Sequence, residues 1–95
     1  DGLQKRDFTY IGDAVTANIL ASTTDNEGAF GEIFNIGTGN SYAILDVASM
    51  IGGEITHIAE RLGEARDTEA DNSKARDILG WEPTKSLQNY IKNLT

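Results

Sequence analysis

A short stretch in the second half of the chain combines three residue types that together suit a nucleotide. Arg61 supplies a planar guanidinium that can hold a phosphate through two hydrogen bonds. Gly63 permits a tight turn, and Glu64 supplies a carboxylate that can accept hydrogen bonds from vicinal hydroxyls. Because one loop presents both groups, residues 61–64 indicate a site that holds a nucleotide by its diphosphate and its ribose.

Arg6 is a second candidate for contact with a phosphate. It precedes the first predicted strand, in a segment that opens with a glycine. Two arginines presented from separate loops towards one diphosphate would form a clamp. The other charged residues between positions 60 and 77 mix both signs, which is typical of a solvated face with weak ion pairs.

Composition excludes several classes of function. The 95 residues allow one small domain, and 39% hydrophobic residues can form a modest core. A net charge of −7 argues against nucleic acid and against anionic membranes as partners, although a local arginine cluster can oppose that sign. The chain has no cysteine, so it has neither disulfides nor a thiolate metal site.

The ends of the chain carry little targeting information. No signal peptide or membrane span is visible, and we expect a cytoplasmic protein. The first residue is Asp1 rather than methionine, which favours an excised piece of something longer over a processed product.

The hydrophobic pattern alternates between strand and helix periods and predicts an α/β fold with short strands and about four helices. Asp13 and Asp71 are predicted to cap helices, whereas Gly52 and Gly80 are predicted to end them. Strands are predicted at residues 7–11, 32–36 and 55–59, and helices at residues 14–23, 42–51, from the Asp71 cap to 79, and 86–94.

Three other motifs favour structural interpretations. Residues 37–39 read Gly-Thr-Gly, but the third glycine of a dinucleotide loop would fall at Tyr42, so a tight turn is favoured. His57 is the only histidine, which argues against a metal site. No tyrosine is followed four residues later by lysine, and no Ser-His-Asp set is credible, so we predict no catalytic, cofactor-binding or metal residue.

Four stretches, in this order, resemble the carboxy-terminal part of an extended short-chain dehydrogenase/reductase. The resemblance is to the NAD-dependent sugar-nucleotide epimerase/dehydratase family, of the UDP-glucose 4-epimerase type, and it spans nearly the whole chain. The stretches are residues 1–13 (D-G-x-x-x-R-D-F-x-Y-I-x-D), 34–39 (F-N-I-G-T-G), 61–64 (R-x-G-E) and 70–83 (A-D-x-S-K-A followed by L-G-W-x-P).

The resemblance implies roles for four residues. Arg6 and Arg61 are expected to contact the diphosphate. Phe8 is expected to lie near the base, and Glu64 to hydrogen-bond the ribose hydroxyls. No catalytic residue is implied within this chain.

Four positions depart from the family pattern. Glu64 replaces a frequent aspartate, Phe8 a frequent tyrosine and Leu62 a frequent proline. These changes predict a shifted ribose contact, a lost hydroxyl and a less rigid loop. Thr68 stands where some relatives carry a bulkier residue, which favours tolerance of an N-acetylated hexose.

The resemblance also implies a larger enzyme. In the family, a preceding Rossmann domain binds NAD and carries the tyrosine and lysine of a hydride transfer at C4 of the sugar. This chain alone is therefore expected to be inactive and to bind no NAD. Its expected role is to hold a UDP-sugar so that the sugar lies against the nicotinamide. The expected ligands are UDP-glucose and UDP-N-acetylglucosamine.

Two partners follow from that interpretation, and one alternative stays open. The chain would pack against its own N-terminal Rossmann domain, and the isolated lobe could self-associate through the surface so exposed. The alternative is a free-standing accessory or protein-interaction module that kept this fold without nucleotide binding.

Overall fold

The structure, a computed structural model that describes residues 1–59, 63 and 65–94, contains a two-stranded sheet and several short helices. The elements, in chain order, are β1 (Lys5–Asp7), α1 (Ile11–Thr23), a 3-10 turn (Glu27–Ala29), β2 (Ser41–Ala43), α2 (Ile44–Ile51), a π-helical segment (Ala75–Leu79) and α3 (Leu87–Lys92). The predicted α/β class, with about four helices, is confirmed. In the described ranges, no helix is long and apolar enough to cross a membrane.

The two strands pair antiparallel, with Lys5 opposite Ala43 and Asp7 opposite Ser41. The predicted strand at residues 7–11 is wrong in position, because the strand ends at Asp7 and α1 already begins at Ile11. The alternation of apolar and polar residues there does not reflect burial, since Ile11 is 73% exposed.

Asp13 does not cap α1, contrary to the sequence prediction. Tyr10 occupies the N-cap position without a side-chain cap, and Asp13 lies in the first turn, 3% exposed. Its carboxylate instead accepts hydrogen bonds from the Thr84 amide at 2.8 Å, the Thr84 hydroxyl at 2.5 Å and the Lys85 amide at 3.3 Å. Asp13 belongs to a residue type that often caps helices, but here its carboxylate attaches the C-terminal segment to α1.

Trp81 forms the centre of the core and is fully buried. Its indole N–H donates to the Asp13 carbonyl at 2.9 Å, so the ring is fixed to the same turn of α1. The side chains in contact with this core are buried Ala17, Ala75 and Leu79, and partly buried Leu20, Ala29, Phe34 and Ile36.

The molecule is a thin slab, with extents of 49 × 33 × 16 Å. Its Cα radius of gyration of 16.0 Å exceeds the roughly 12 Å expected for a spherical domain of this length. Most side chains therefore lie close to the solvent-exposed surface, and few positions remain for a fully buried apolar core.

The predicted strands at residues 32–36 and 55–59 are absent from the sheet that the described residues form. Both stretches carry apolar side chains that stay in solvent, with Ile33 84% and Ile58 74% exposed. A strand needs a neighbouring strand to pair its backbone groups. The apolar pattern alone cannot say whether such a neighbour is present.

The second helix begins later than predicted, because residues 41–43 pair with β1 before the chain turns into α2 at Ile44. Ala43 is its N-cap, without a side-chain hydrogen bond. Its predicted end is confirmed, since Gly52 has φ 89° and its N–H donates to the Ala48 carbonyl at 2.9 Å.

The two C-terminal helices follow the sequence more closely. The segment ends at Gly80 with φ 68°, as predicted. The predicted cap at Asp71 is wrong, because its carboxylate accepts from the Ser73 amide two residues on, at 3.1 Å, and Lys74 is the N-cap without a side-chain cap. Residues Ala75–Leu79, however, are widened into a π-helix. The last helix spans Leu87–Lys92, and the Ser86 hydroxyl caps it by accepting from the Asn89 amide at 3.2 Å.

We expect the Asp13→Asn substitution to lower the free energy of unfolding by about 1–3 kcal/mol, because an amide cannot accept from all three donors. Urea unfolding followed by Trp81 fluorescence measures this. Asp25→Asn, in an exposed loop, is the matched control and should change stability by less than about 0.5 kcal/mol. Equal stability of both variants would contradict the attachment role of Asp13.

Candidate functional site

The candidate site is built on β1, which is bonded along both edges. One edge pairs with β2, and the other meets residues 66–68. There the Lys5 amide donates to the Arg66 carbonyl at 2.9 Å, and the Thr68 amide donates to the Lys5 carbonyl at 3.0 Å. The chain that follows residues 61–64 is therefore held against β1 by backbone hydrogen bonds.

Arg6 extends this attachment with its side chain. Its Nη2 donates to the Ala65 carbonyl at 2.5 Å, and its Nη1 donates to the Arg66 carbonyl at 3.3 Å and the Lys5 carbonyl at 2.7 Å. The carbonyls orient the guanidinium and place it beside Ala65, the residue that follows Glu64 in the sequence. The structure thus brings Arg6 to the C-terminal side of the other predicted ligand residues.

Phe8 lies immediately after β1 and is half-buried. Arg61 and Glu64, the remaining predicted contacts, lie outside the described residues. Thr68, named as a neighbour of the sugar, is exposed and borders an open depression of about 490 Å³ beside Asp7 and residues 34–36.

Asp7 accepts four hydrogen bonds from two distant parts of the chain. Its Oδ1 accepts from the Thr38 amide at 3.0 Å and the Thr38 hydroxyl at 2.7 Å. Its Oδ2 accepts from the Gly39 amide at 3.0 Å and the Ala70 amide at 3.1 Å. The carboxylate therefore ties β1 both to the 37–39 turn and to the chain beyond residues 61–64.

The pKa of Asp7 reflects these contacts. Burial by itself raises the pKa of this carboxyl, but the hydrogen bonds from Thr38, Ala70 and Gly39 outweigh burial and hold it below its ordinary value of 3.8. The site consequently keeps this negative charge at neutral pH.

The Gly-Thr-Gly turn at residues 37–39 is a tight turn, as the sequence favoured, with Gly39 at φ 83°. The amides of Thr38 and Gly39, which a phosphate would need, both donate to the Asp7 carboxylate. A phosphate would have to displace a carboxylate from this concave set of N–H groups. The turn is therefore a structural anchor, not an anion site.

Close packing explains why position 37 is a glycine. A Cβ added to Gly37 would overlap the Cβ of Ala70 and come within 2.9 Å of Asp7 Oδ2. The backbone of Gly37 therefore lies directly against the Ala70 methyl group and the Asp7 carboxylate. Asn72, buried next to them, donates from its Nδ2 to the Gly37 carbonyl at 2.8 Å.

A second cleft, of about 530 Å³, lies between the N-terminal residues, α2 and residues 55–59. Ile44, Leu45 and Ile58 supply apolar walls, and His57 and Arg66 supply polar edges. His57 is exposed, and in the described part of the chain no three acidic, histidine or cysteine side chains are grouped to hold a metal ion.

The sequence analysis did not identify Asp7 as a site residue. The sequence offers no local signal for this role, because the donors to the Asp7 carboxylate come from Thr38, Gly39 and Ala70, which lie 31, 32 and 63 positions away.

Comparison with known proteins gives a consistent result. A family model of GDP-mannose 4,6 dehydratases matches residues 1–94. An uncharacterised UDP-glucose epimerase of Bacillus subtilis is 36% identical over 98% of this chain and 31% of its own length.

Two solved structures show the same fold. A UDP-glucuronic acid 4-epimerase from Bacillus cereus, in complex with UDP-glucuronic acid and NAD, has 38% identity and a TM-score of 0.82, covering 100% of this chain and 34% of that one. A UDP-glucose 4-epimerase from Thermotoga maritima, with UDP-glucose, has 35% identity and a TM-score of 0.82, covering 97% and 30%. This chain spans about a third of the length of the relatives it matches.

We expect the Asp7→Asn substitution to reduce the dependence of stability on acid pH. Folding lowers the pKa of Asp7, so the unfolded chain binds more protons, and stability falls as pH drops through the ordinary value of 3.8 towards the lower native-state pKa. Urea unfolding between about pH 6 and pH 3 should give a smaller slope for the variant. Asp25→Asn should keep the original slope, and an unchanged slope in Asp7→Asn would show that Asp7 is not responsible.

Substitution of Gly37 by alanine should destabilise the chain by about 1–3 kcal/mol, because the new methyl group forces Ala70 and Asp7 apart. Thermal unfolding by circular dichroism measures the loss. Gly28→Ala is the control, since its Cβ would meet only the Asn26 side chain in an exposed turn, with the nearest atom at 3.1 Å. A Gly37→Ala variant as stable as that control would refute the close approach.

Proposed function

The chain belongs to the NAD-dependent epimerase/dehydratase family of extended short-chain dehydrogenases/reductases, and on that premise we propose that it binds the nucleotide-diphosphate end of a sugar nucleotide. The expected ligand is a UDP-sugar, with UDP-glucose or UDP-N-acetylglucosamine as the best candidates. The protein to which it contributes is proposed to be a UDP-sugar 4-epimerase or a related dehydratase.

The observation that carries this proposal is the attachment of Arg6 to the residues that follow Glu64. The guanidinium of Arg6 donates to the carbonyls of Ala65 and Arg66, so β1 and the C-terminal side of the 61–64 stretch form one unit. Arg61, the other candidate arginine, precedes this bonded segment by four residues in the sequence. A clamp on a diphosphate needs this kind of connection, because both cations must face one ligand.

The proposed roles follow from the family resemblance and agree with the side-chain chemistry. Arg6 and Arg61 would hold the diphosphate, Glu64 would accept from the ribose hydroxyls, and Phe8 would lie near the base. A phosphate oxygen binds a guanidinium more strongly than a neutral carbonyl does. The diphosphate could therefore share the donors of Arg6 or displace one of its carbonyl partners.

The relatives support the class of ligand. The Bacillus cereus enzyme is in complex with UDP-glucuronic acid and NAD, and the Thermotoga maritima enzyme is bound to UDP-glucose. The overall charge of −7 makes a local pair of arginines more important, since the rest of the surface repels a diphosphate.

We propose that NAD is bound by another part of the protein and not by this chain. The glycine turn at 37–39 is the one candidate among the described residues for a pyrophosphate loop, and its amides are bonded to Asp7. The proposed contribution of this chain is therefore confined to the nucleotide end of the substrate. Binding energy from the remote diphosphate would orient the sugar for a reaction centre that lies elsewhere.

The test is a titration of the purified chain with UDP, followed by amide chemical shifts. We expect shifts clustered around Arg6, Phe8 and residues 61–66. Arg6→Ala and Arg61→Ala should each weaken UDP binding about tenfold or more, because each removes a charge-assisted hydrogen-bonding group.

Arg76→Ala is the matched control for the loss of one positive charge. Arg76 lies in the π-helical segment and pairs with Glu82 at 3.7 Å and Asn72 at 2.9 Å, so its removal should leave UDP affinity within about twofold. Absence of binding by the unsubstituted chain, with Trp81 still buried, would contradict the proposal and favour the accessory-module alternative.

A further inference from the structure

The side chain of Asp7 has a feature that diphosphate binding does not explain. It points away from Arg6, as expected for consecutive residues of a strand, yet one of its oxygens reaches the same segment that Arg6 holds. We call residues 65–70 the stem, because they lead directly out of the 61–64 stretch.

The stem is bonded to β1 along its whole length. At its start, the Arg6 guanidinium donates to the Ala65 carbonyl. In its middle, the backbone of Lys5 is hydrogen-bonded to the Arg66 carbonyl and the Thr68 amide. At its end, the Ala70 amide donates to the Asp7 carboxylate. The Glu69 carboxylate adds a hydrogen bond from the Ser41 amide, 3.1 Å away on β2. Arg6 and Asp7 thus hold opposite ends of one segment.

From this arrangement, we propose that Asp7 is a positioning residue for the nucleotide site: it fixes the end of the stem and so holds in place the Ala65 and Arg66 carbonyls that orient the guanidinium of Arg6. This inference rests on the proposed function. Asp7 itself makes no contact with the ligand in this scheme, since its carboxylate is turned to the 37–39 turn and to Ala70.

A carboxylate is required because the donors come from two sides. Oδ1 serves the two donors of Thr38, while Oδ2 serves the amides of Gly39 and Ala70. An asparagine offers one carbonyl oxygen and one NH₂ group, so it can accept from one pair of donors only. At the other pair, its NH₂ group would face a backbone N–H donor without an acceptor between them. Asp7→Asn should therefore release either the turn or the stem.

Thr38→Val is the matched variant that separates the two contacts. It removes the Thr38 hydroxyl, which donates to Asp7 Oδ1, and leaves the bond from Ala70 to Oδ2 in place. It should loosen the 37–39 turn without moving the stem. Asp13→Asn is a second control, because it destabilises the core through a carboxylate that does not touch the stem.

The experiment measures two quantities on the purified chain, which are UDP affinity by calorimetry and hydrogen exchange at the stem amides. In Asp7→Asn we expect UDP affinity to fall about tenfold, and exchange at Thr68 and Ala70 to accelerate about tenfold or more relative to α1. In Thr38→Val and Asp13→Asn, both quantities should stay within about threefold after correction for global stability.

Several results would overturn the inference. A folded Asp7→Asn variant with unchanged UDP affinity, or with unchanged exchange at Ala70, contradicts it. So does a Thr38→Val variant that loses as much UDP affinity as Asp7→Asn, because the turn would then be responsible. If the unsubstituted chain fails to bind UDP, the proposed function fails and the ligand-positioning role fails with it, whereas the exchange data still report separately on whether Asp7 holds the stem.

Trp81 emission identifies a variant that has lost its fold. If Asp7→Asn unfolds, Asp7→Glu is measured instead. Its longer side chain keeps the charge but displaces Ala70 from its position near Gly37. We expect that variant to lose UDP affinity about two- to tenfold, with faster exchange at Ala70. Unchanged values for both would overturn the proposal.

Discussion

The Asp13 carboxylate is the interaction on which the remainder of the structure depends. It joins the first turn of α1 to Thr84 and Lys85, which are 71 and 72 positions away in the sequence. The Asp13 carbonyl also accepts from the indole of Trp81, which forms the main buried cluster together with Ala17, Ala75 and Leu79. One residue therefore fixes the first helix, the core and the approach to the last helix. Burial of a charge is costly unless its oxygens are all hydrogen-bonded, and here they are.

Asp7 repeats the same solution in the candidate site. Each of the two carboxylates accepts backbone N–H groups and a threonine hydroxyl from a distant segment, and in each the pKa is lowered even though burial raises it. A thin chain with few fully buried apolar side chains gains long-range order from such charged acceptors. The Asp7 carboxylate holds the stem of the candidate site, so the same hydrogen bonds stabilise both the fold and the site.

The sequence predicted the kinds of element better than the partners of each residue. Gly52 and Gly80 end helices as expected, because a positive φ is a local requirement that glycine meets without help from the rest of the fold. Asp13 was misread as a cap because the local pattern contains no information about Thr84. The strands expected at residues 32–36 and 55–59 fail for the same reason, since pairing depends on a neighbour that periodicity cannot supply. For the candidate site, residue type pointed to Arg6 and the family resemblance to Phe8, but the junction between Arg6 and Ala65 required the folded chain.

The 16 Å thickness of the slab has a thermodynamic consequence. The heat-capacity change of unfolding grows with the apolar surface newly exposed to water. Here much of that surface is already wet in the native state, as Ile33 at 84% and Ile58 at 74% exposure illustrate. The heat-capacity increment should therefore be below the roughly 12–15 cal/mol/K per residue of ordinary globular domains. A small increment gives a flat stability curve, so the isolated chain would lose stability only slowly on cooling and would unfold on heating over a broad range of temperature.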